Sequence, residues 1–136
     1  MERRLLVFEH SILRRIYGPM RDHETGEWRT RHNEELRGLS RLPLITAFVR
    51  AQRLRWAGHV ARMDADALPL LVLEGTPEGR RPPGRPKLRW SDCIRRDLEQ
   101  LDVPHPERWM EHAQDRRWWR LLVAAAKDPG GLMLQE

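Results

Sequence analysis

The side chains of this sequence that are best suited to chemistry are basic, and they are concentrated in one short stretch. Residues 78–96 hold seven basic side chains and two acidic ones, so this stretch alone equals the net charge of +5 of the whole chain. The same stretch contains Trp90, Gly residues, which disfavour a helix, and Pro residues, which keep a chain extended and stiff. An extended basic segment can follow a phosphate backbone while an aromatic ring stacks on a base. The pattern therefore favours contact with RNA or DNA over the alternative, a solvated surface loop.

A second basic patch falls on the strongest helical pattern of the chain. Arg50, Arg53, Arg55 and Arg62 follow one another with no acidic residue between them. They could lie along a phosphate backbone or, as the alternative, form the solvated back of a helix whose arginine stems cover the core. Across the two patches we predict these nucleic-acid contacts: Arg53, Arg55, Arg80, Arg81, Arg85, Lys87, Arg89 and Trp90.

The basic stretch also contains part of a known DNA-binding motif. Gly84-Arg85-Pro86 matches the core of the AT-hook, in which an extended Arg-Gly-Arg-Pro segment lies in the narrow minor groove. Pro83 stands where the motif has its first arginine. Because three residues recur often by chance, the match is a weak signal.

Nothing in the sequence indicates an active site or a metal centre. No His lies three or four residues from another His or from Cys93, the spacing at which ligands share a helix face. Asp64 and Asp66 are typical of acidic turn residues after a helix. The sequence has no nucleophile elbow, phosphate-binding loop or dinucleotide-binding fingerprint. We therefore predict a chain that is not an enzyme on its own and that uses no metal or cofactor.

The single cysteine and the charged residues limit the compartment and the class of protein to which this chain can belong. The single Cys93 excludes an internal disulfide and fits a reducing compartment, the nucleus or the cytoplasm. The first apolar segment is interrupted by Glu9, His10 and Arg14, which argues against a signal peptide or a membrane span. Of the 25 basic residues 23 are Arg, whose planar guanidinium suits phosphates and bases. A GC-rich coding sequence would produce the same bias without selection for binding.

Apolar residues at spacings of three and four predict a mainly α fold for the elements that must position these side chains. The first stripe, Leu5 to Tyr17, predicts a helix, and residues 20–32 predict a loop anchored by Trp28. Asn33 is the predicted cap of a short helix that ends before Pro43.

The strongest helical pattern runs from Ile45 to Met63. Its predicted buried face consists of Ile45, Phe48, Val49, Gln52, Trp56, Val60 and Met63. Residues 68–73 form a short apolar run that favours a strand or an extended segment. Ser91 is the predicted cap of the next helix. A last helical region covers residues 107–127 with a break near Asp115, and its predicted buried face consists of Trp109, Ala113, Trp119, Leu122, Val123 and Ala126.

The breakers in the basic stretch predict how the chain is divided. We expect two helical sub-units joined by an extended connector rich in Gly, Pro and Arg. The predicted boundaries give an N-terminal helical part at 1–74, the connector at 75–90, a C-terminal helical part at 91–128 and a tail at 129–136.

Several separate strings of the sequence resemble one known family. Leu6 to Pro19, Glu27 to Leu36, and RLRWAGHVARM from Arg53 to Met63 are similar to the segment that follows the polymerase domain in LINE-type, non-LTR retrotransposon endonuclease/reverse transcriptases. GRPKLRWSDCIRRDLEQL from Gly84 to Leu101 and AQDRRWWRLLV from Ala113 to Val123 resemble the continuation of that segment. The strings cover nearly the whole chain in the same order.

The resemblance implies a thumb-like helical region that helps to hold template RNA and the primed DNA target. It does not imply polymerase activity, because the family's catalytic aspartates belong to a Tyr-x-Asp-Asp turn of a palm sheet and this sequence contains no such turn. The endonuclease domain is also missing. The expected identity is therefore a fragment of an RNA-directed DNA polymerase that lacks the catalytic palm and keeps nucleic-acid binding.

Two other readings remain open at the level of sequence. The chain could be a helical protein-interaction module or a non-functional open reading frame. If an upstream domain covers the apolar stripe from Leu5 to Ile16 in the parent, this chain by itself would expose the stripe and self-associate.

Overall fold

The chain is mainly helical in the computed structural model, which describes residues 2–76, 78–79, 83–84 and 88–127. The predicted fold class is confirmed. The elements are α1 (Glu2–Tyr17), β1 (Met20–Arg21), β2 (Trp28–Arg29), α2 (Asn33–Ser40), α3 (Ile45–Ala61), α4 (Leu68–Glu74), α5 (Trp90–Glu99), a 3₁₀ helix (Pro106–Arg108), α6 (Trp109–His112) and α7 (Arg116–Lys127). They form two compact units, Met1–Val49 and Arg50–Glu136.

In the first unit, a small antiparallel hairpin occupies the segment that the sequence predicted as a loop. β1 pairs with β2 so that Met20 lies opposite Arg29. The turn uses Gly26 at a positive φ of 72°, a conformation that favours glycine. Trp28 does not anchor the segment, because its side chain is 70% exposed. The prediction of an indole anchor was wrong, and polar contacts hold the segment instead: the Arg31 Nε donates to the Gly18 carbonyl at 3.1 Å.

The start of α2 is also set by charged side chains. His32, and not the predicted Asn33, is the N-cap residue of this helix. The Glu35 carboxylate accepts from the His32 backbone N–H at 2.7 Å and forms an ion pair with Arg29 at 2.6 Å. The Asn33 Oδ1 instead accepts from Arg14 Nη2 at 2.7 Å, which ties α2 to α1. Asn33 is therefore a contact between helices rather than a cap.

The second unit contains a core built on the small side chains of α3. Its buried members from this helix are Ala51, Leu54, Ala57 and Ala61. The predicted buried face is confirmed for Val60, which is 2% exposed, and is wrong for Phe48 and Trp56, which are 46% and 51% exposed. Small residues allow other helices to approach α3 closely, so hydrophobic periodicity alone did not identify most of the buried face.

The helices after residue 89 pack on that face largely as predicted. Ile94 and Leu98 of α5 are fully buried. The break predicted near Asp115 is confirmed, because α6 ends at His112 and α7 begins at Arg116. The Asp115 Oδ1 accepts the backbone N–H groups of the next helix at 3.0 Å. The predicted buried face of this region is confirmed for Trp109, Ala113, Trp119, Leu122 and Ala126, and Val123 is half-buried.

Three local predictions differ from the structure. Residues 68–73 belong to helix α4 rather than to a strand. Pro69 is compatible with this helix because it lies in the first turn, where its missing N–H costs no hydrogen bond. Arg89 takes the N-cap position of α5 in place of Ser91. The division into two compact units falls between residues 49 and 50 of the chain, within α3, whereas the predicted boundary lies in the connector at 75–90.

The tail at 129–136 and much of the connector lie outside the described residues. Within the described ranges, no helix combines the length and apolar character needed to cross a membrane.

Candidate nucleic-acid interface

A groove lined by basic side chains runs between the C-terminal half of α3 and α7 in the second unit. We call it the α3/α7 groove; its volume is about 830 Å³. Its basic lining residues are Arg55, His59, Arg62, Arg116, Arg120 and Lys127. Its apolar lining residues are Met63, Trp119, Val123 and Ala124. No acidic side chain belongs to the described lining, so the groove has the charge expected of a surface that binds anions.

Helical spacing places the cations in two rows. Arg55 and His59 are four residues apart, on one face of α3, and Arg62 lies in the turn directly after this helix. Arg116 and Arg120 are one turn apart on α7 and form the second row. Two rows of donors held by packed helices can contact successive phosphates along a backbone.

A close contact between the two helices fixes the separation of these rows. The Trp119 Nε1 donates a buried hydrogen bond of 2.8 Å to the Leu54 carbonyl. The indole reaches that carbonyl because Gly58 has no side chain: a Cβ at this position would overlap the indole Nε1 and Cδ1. Trp119 thus forms the floor of the groove and locks α7 to α3.

Positive charges are held close together at one end of the groove. The Arg62 Nη1 donates to the Ala113 carbonyl at 2.5 Å, and the Gln114 Nε2 donates to the Ala61 carbonyl at 2.8 Å. Burial, and next the positive charge of Arg116, lower the pKa of the Arg62 guanidinium. A phosphate bound between these two arginines would offset their repulsion.

The predicted contacts on α3 have different surroundings. Arg55 is exposed and lines the groove. Arg53 lies at 3.2 Å from the buried carboxylate of Asp97, and Arg50 lies at 3.8 Å from it. These ion pairs connect α3 to α5, so Arg50 and Arg53 have a structural role. The role of Arg53 in nucleic-acid binding stays a prediction.

The predicted contacts at the start of α5 line a second groove. This groove, which we call the α3/α4/α5 groove, has a volume of about 670 Å³ and is lined by Arg89, Trp90 and Trp56 among others. The half-buried Trp90 ring meets the Trp109 ring edge to face, at 6.2 Å between centroids and 88° between planes. Arg80, Arg81, Arg85 and Lys87 lie outside the described residues, so their role also stays a prediction.

Sequence reasoning missed the contribution of α7 to the groove. Arg116 and Arg120 stand four residues apart in the string AQDRRWWRLLV, and neither is among the predicted nucleic-acid contacts. The spacing of the arginines is visible in the sequence. That they lie opposite Arg55 is not, because it depends on the packing of Trp119 against Gly58.

Comparison with known proteins gives one informative similarity. The chain is 29% identical over 126 residues to a Caenorhabditis elegans protein described as an uncharacterized transposon-derived protein, F52C9.6. The matched region covers 90% of this chain and 44% of that protein, so the chain spans less than half the length of its relative. No protein-family model and no solved structure matches the chain.

Proposed function

We propose that the chain derives from a retrotransposon reverse transcriptase and binds RNA or DNA through the α3/α7 groove. The observation that carries the proposal is the groove itself, in which the five Arg and Lys side chains surround an apolar floor without an acidic neighbour in the described lining. Contacts from several cations to phosphates supply most of the affinity in sequence-independent nucleic-acid binding.

The similarity to a transposon-derived protein supports a transposon-related origin for the chain. The finer assignment, the region downstream of a reverse transcriptase polymerase domain, rests on the resemblance of the Trp- and Arg-bearing strings. Three of those strings contribute to the two grooves: Arg53 to Met63, Gly84 to Leu101 and Ala113 to Val123. We assign binding to the chain and no catalytic step.

The proposal is tested by the binding of the purified chain to a labelled structured RNA and to duplex DNA. Affinity should fall steeply, by orders of magnitude for many contacts, between about 50 and 200 mM salt. The variant Arg116→Gln/Arg120→Gln should bind more weakly than the wild type at every salt concentration. The matched control is Arg37→Gln/Arg117→Gln, which removes the same charge from exposed positions outside the groove lining.

A third variant separates the groove from the predicted connector contacts. It changes Arg80, Arg81, Arg85, Lys87 and Arg89 to Gln. Loss of affinity only in this variant would place the contact on the connector and reject the groove. If a folded wild-type chain binds neither ligand at low salt, binding is rejected altogether, and the protein-interaction module and the non-functional reading frame remain.

A further inference from the structure

We propose that the chain prefers single-stranded nucleic acid, with phosphates in the α3/α7 groove and a base stacked on Trp56. This inference rests on the proposed function and specifies its ligand. RNA and single-stranded DNA share the required chemistry of spaced phosphates and free base faces.

An exposed aromatic side chain lies beside the cations of the α3/α7 groove. Trp56 follows Arg55 directly in α3, and its ring is 51% exposed. The Trp56 ring lies 5.4 Å from the ring of His59, which lines the α3/α7 groove. An exposed indole offers a flat face on which a base can stack. Trp56 adjoins Arg55 and His59 of the basic groove, so a base could lie against it while the phosphates contact these cations.

The Trp56 ring lines the α3/α4/α5 groove. The volume of this groove, about 670 Å³, falls in the range of small-ligand pockets. Its apolar lining includes Val60, Val72 and Leu73. An uncharged, planar base fits such a lining, and the hydroxyl groups of Thr76 and Ser91 add hydrogen-bonding capacity.

The two grooves differ in the charge of their described lining residues. The α3/α4/α5 groove has Glu74 and Glu78 beside Arg89 among these residues, whereas the α3/α7 groove has no acidic residue among them. The two carboxylates of the α3/α4/α5 groove repel a phosphate, whereas the cations of the α3/α7 groove attract it. A neutral base is not repelled, so the charges favour a strand whose backbone follows one groove and whose base turns toward the other.

A base in a duplex cannot make this contact. Its faces are covered by the neighbouring base pairs, and freeing one requires unpairing and unstacking. The geometry therefore favours ligands whose bases are already free.

The test uses the full chain and four labelled ligands: an unstructured RNA, a DNA of the same sequence, the corresponding DNA duplex, and the RNA with abasic sites. Fluorescence anisotropy at low salt gives the affinities. We expect both single strands to bind more tightly than the duplex, and the abasic RNA to lose roughly 5- to 150-fold in affinity if one stacked base is removed. The abasic ligand needs no change in the protein, so it cannot fail through misfolding.

Protein variants test the same contact from the other side. Trp56→Leu should weaken binding to the single strands without weakening binding to the duplex, and Trp56→Tyr should restore most of the loss because it keeps an aromatic face. Trp28→Leu is the control, since Trp28 is the more exposed indole and belongs to the hairpin of the first unit. Circular dichroism checks that each variant is folded.

The outcomes separate this inference from the proposed function. Equal affinity for duplex and single strand, or an abasic RNA that binds like the intact one, would overturn stacking while leaving the groove as a nucleic-acid site. No binding of any ligand at low salt would reject the proposed function and this inference with it. A difference in affinity between the RNA and the single-stranded DNA of the same sequence would show which of the two the chain prefers.

Discussion

Gly58 is the residue on which the packing of the second unit depends most directly. Its missing side chain leaves room for the Trp119 indole, which donates a buried hydrogen bond to the Leu54 carbonyl. We expect Gly58→Ala to lower the free energy of unfolding by about 1–3 kcal/mol, because the added methyl group forces a shift in a packed core. Urea unfolding followed by circular dichroism measures this change.

The chain offers a matched control for that substitution. Gly38 lies within α2, and a Cβ there would meet no atom within 4 Å. Gly38→Ala should therefore raise stability, by about 0.5–1 kcal/mol, through its effect on helix propensity and on the unfolded chain. A Gly58→Ala variant as stable as the wild type would show that Trp119 does not need this space.

Glu35 gives the first unit a dependence on pH. The hydrogen bond from the Arg29 side chain, followed by that from the His32 backbone N–H, lowers the pKa of Glu35 from its usual 4.5 to about 2. Because the folded pKa is depressed, the stability gained from the ionised carboxylate is complete above the unfolded value and is lost as the pH falls toward the folded value. The relevant window is thus about pH 4.5 to 2.

We expect the hairpin and the start of α2 to loosen across that window. NMR signals of Glu35 and of the neighbouring amides should report the titration, and Glu35→Gln should remove most of the change at these amides. Asp22 also pairs with Arg29 and has a lowered pKa, chiefly because its carboxylate accepts backbone hydrogen bonds. A residual acid transition in the Gln variant is therefore assigned to Asp22. A Glu35 signal that titrates near 4.5 would contradict the prediction.

At the scale of elements, α7 depends on the residue that precedes it. Asp115 accepts the backbone N–H groups of Arg117 and Trp118 and so satisfies donors that the helix itself cannot. Asp115→Ala should lower the free energy of unfolding by about 0.5–2 kcal/mol, whereas Asp115→Asn should retain most of the stability. Thermal or urea unfolding of the three proteins decides this. Equal losses in both variants would indicate that the charge, and not the cap, stabilises the helix.

Helix α1 carries an exposed row of apolar side chains. Val7, Phe8, Ile12 and Ile16 are exposed within the described residues. Since Phe8, Ile12 and Ile16 are spaced by four residues, they lie along one side of the helix. A continuous apolar row in water favours association with another surface. We therefore expect the chain to self-associate at high concentration, as the sequence predicted.

Sedimentation at several concentrations tests this expectation. Phe8→Glu/Ile16→Glu should shift the chain toward the monomer. The control, Leu42→Glu/Leu121→Glu, adds the same charge at two other exposed leucines and should leave the association unchanged. If both variants behave like the wild type, the row on α1 does not form the contact.

The elements also show what periodicity can predict and what it cannot. The buried face of α7 was predicted correctly because its large apolar residues, such as Trp119 and Leu122, are the ones that face the core. The predicted face of α3 was wrong for most of its members, Val60 excepted, because alanines face the core there and Trp56 does not. Sequence patterns rank faces by hydrophobicity, whereas close helix packing rewards small side chains.

The same limit applies to the candidate site. Arg55 and the helical spacing of Arg116 and Arg120 are visible in the sequence, but their meeting across a groove depends on tertiary packing. For this reason the charge runs could be predicted individually, and the α3/α7 groove could not.

For the whole molecule, the division into units follows contacts rather than chain breakers. Gly and Pro in residues 75–90 predicted a boundary, yet the helix before this stretch and the helix after it belong to one unit. The ion pair between Arg53 and the buried Asp97 joins α3 and α5 across it. Gly and Pro residues indicate where loops lie, whereas the buried contacts between helices decide which helices form one unit.

The salt dependence of binding is the measurement that connects the groove to the whole molecule. If each Arg and Lys of the α3/α7 groove neutralises one phosphate of a single strand, the slope of log affinity against log salt should be about −3 to −4, at roughly −0.7 per contact. Arg116→Gln/Arg120→Gln should make the slope less steep by about 1.4, while Arg37→Gln/Arg117→Gln should leave it unchanged. The slope counts contacts independently of the absolute affinity, so a small loss of stability in a variant does not imitate the effect. A wild-type slope much steeper than this, unaltered by changes in the groove, would mean that the phosphates are bound elsewhere on the chain, and the basic residues of the connector would be the next set to change.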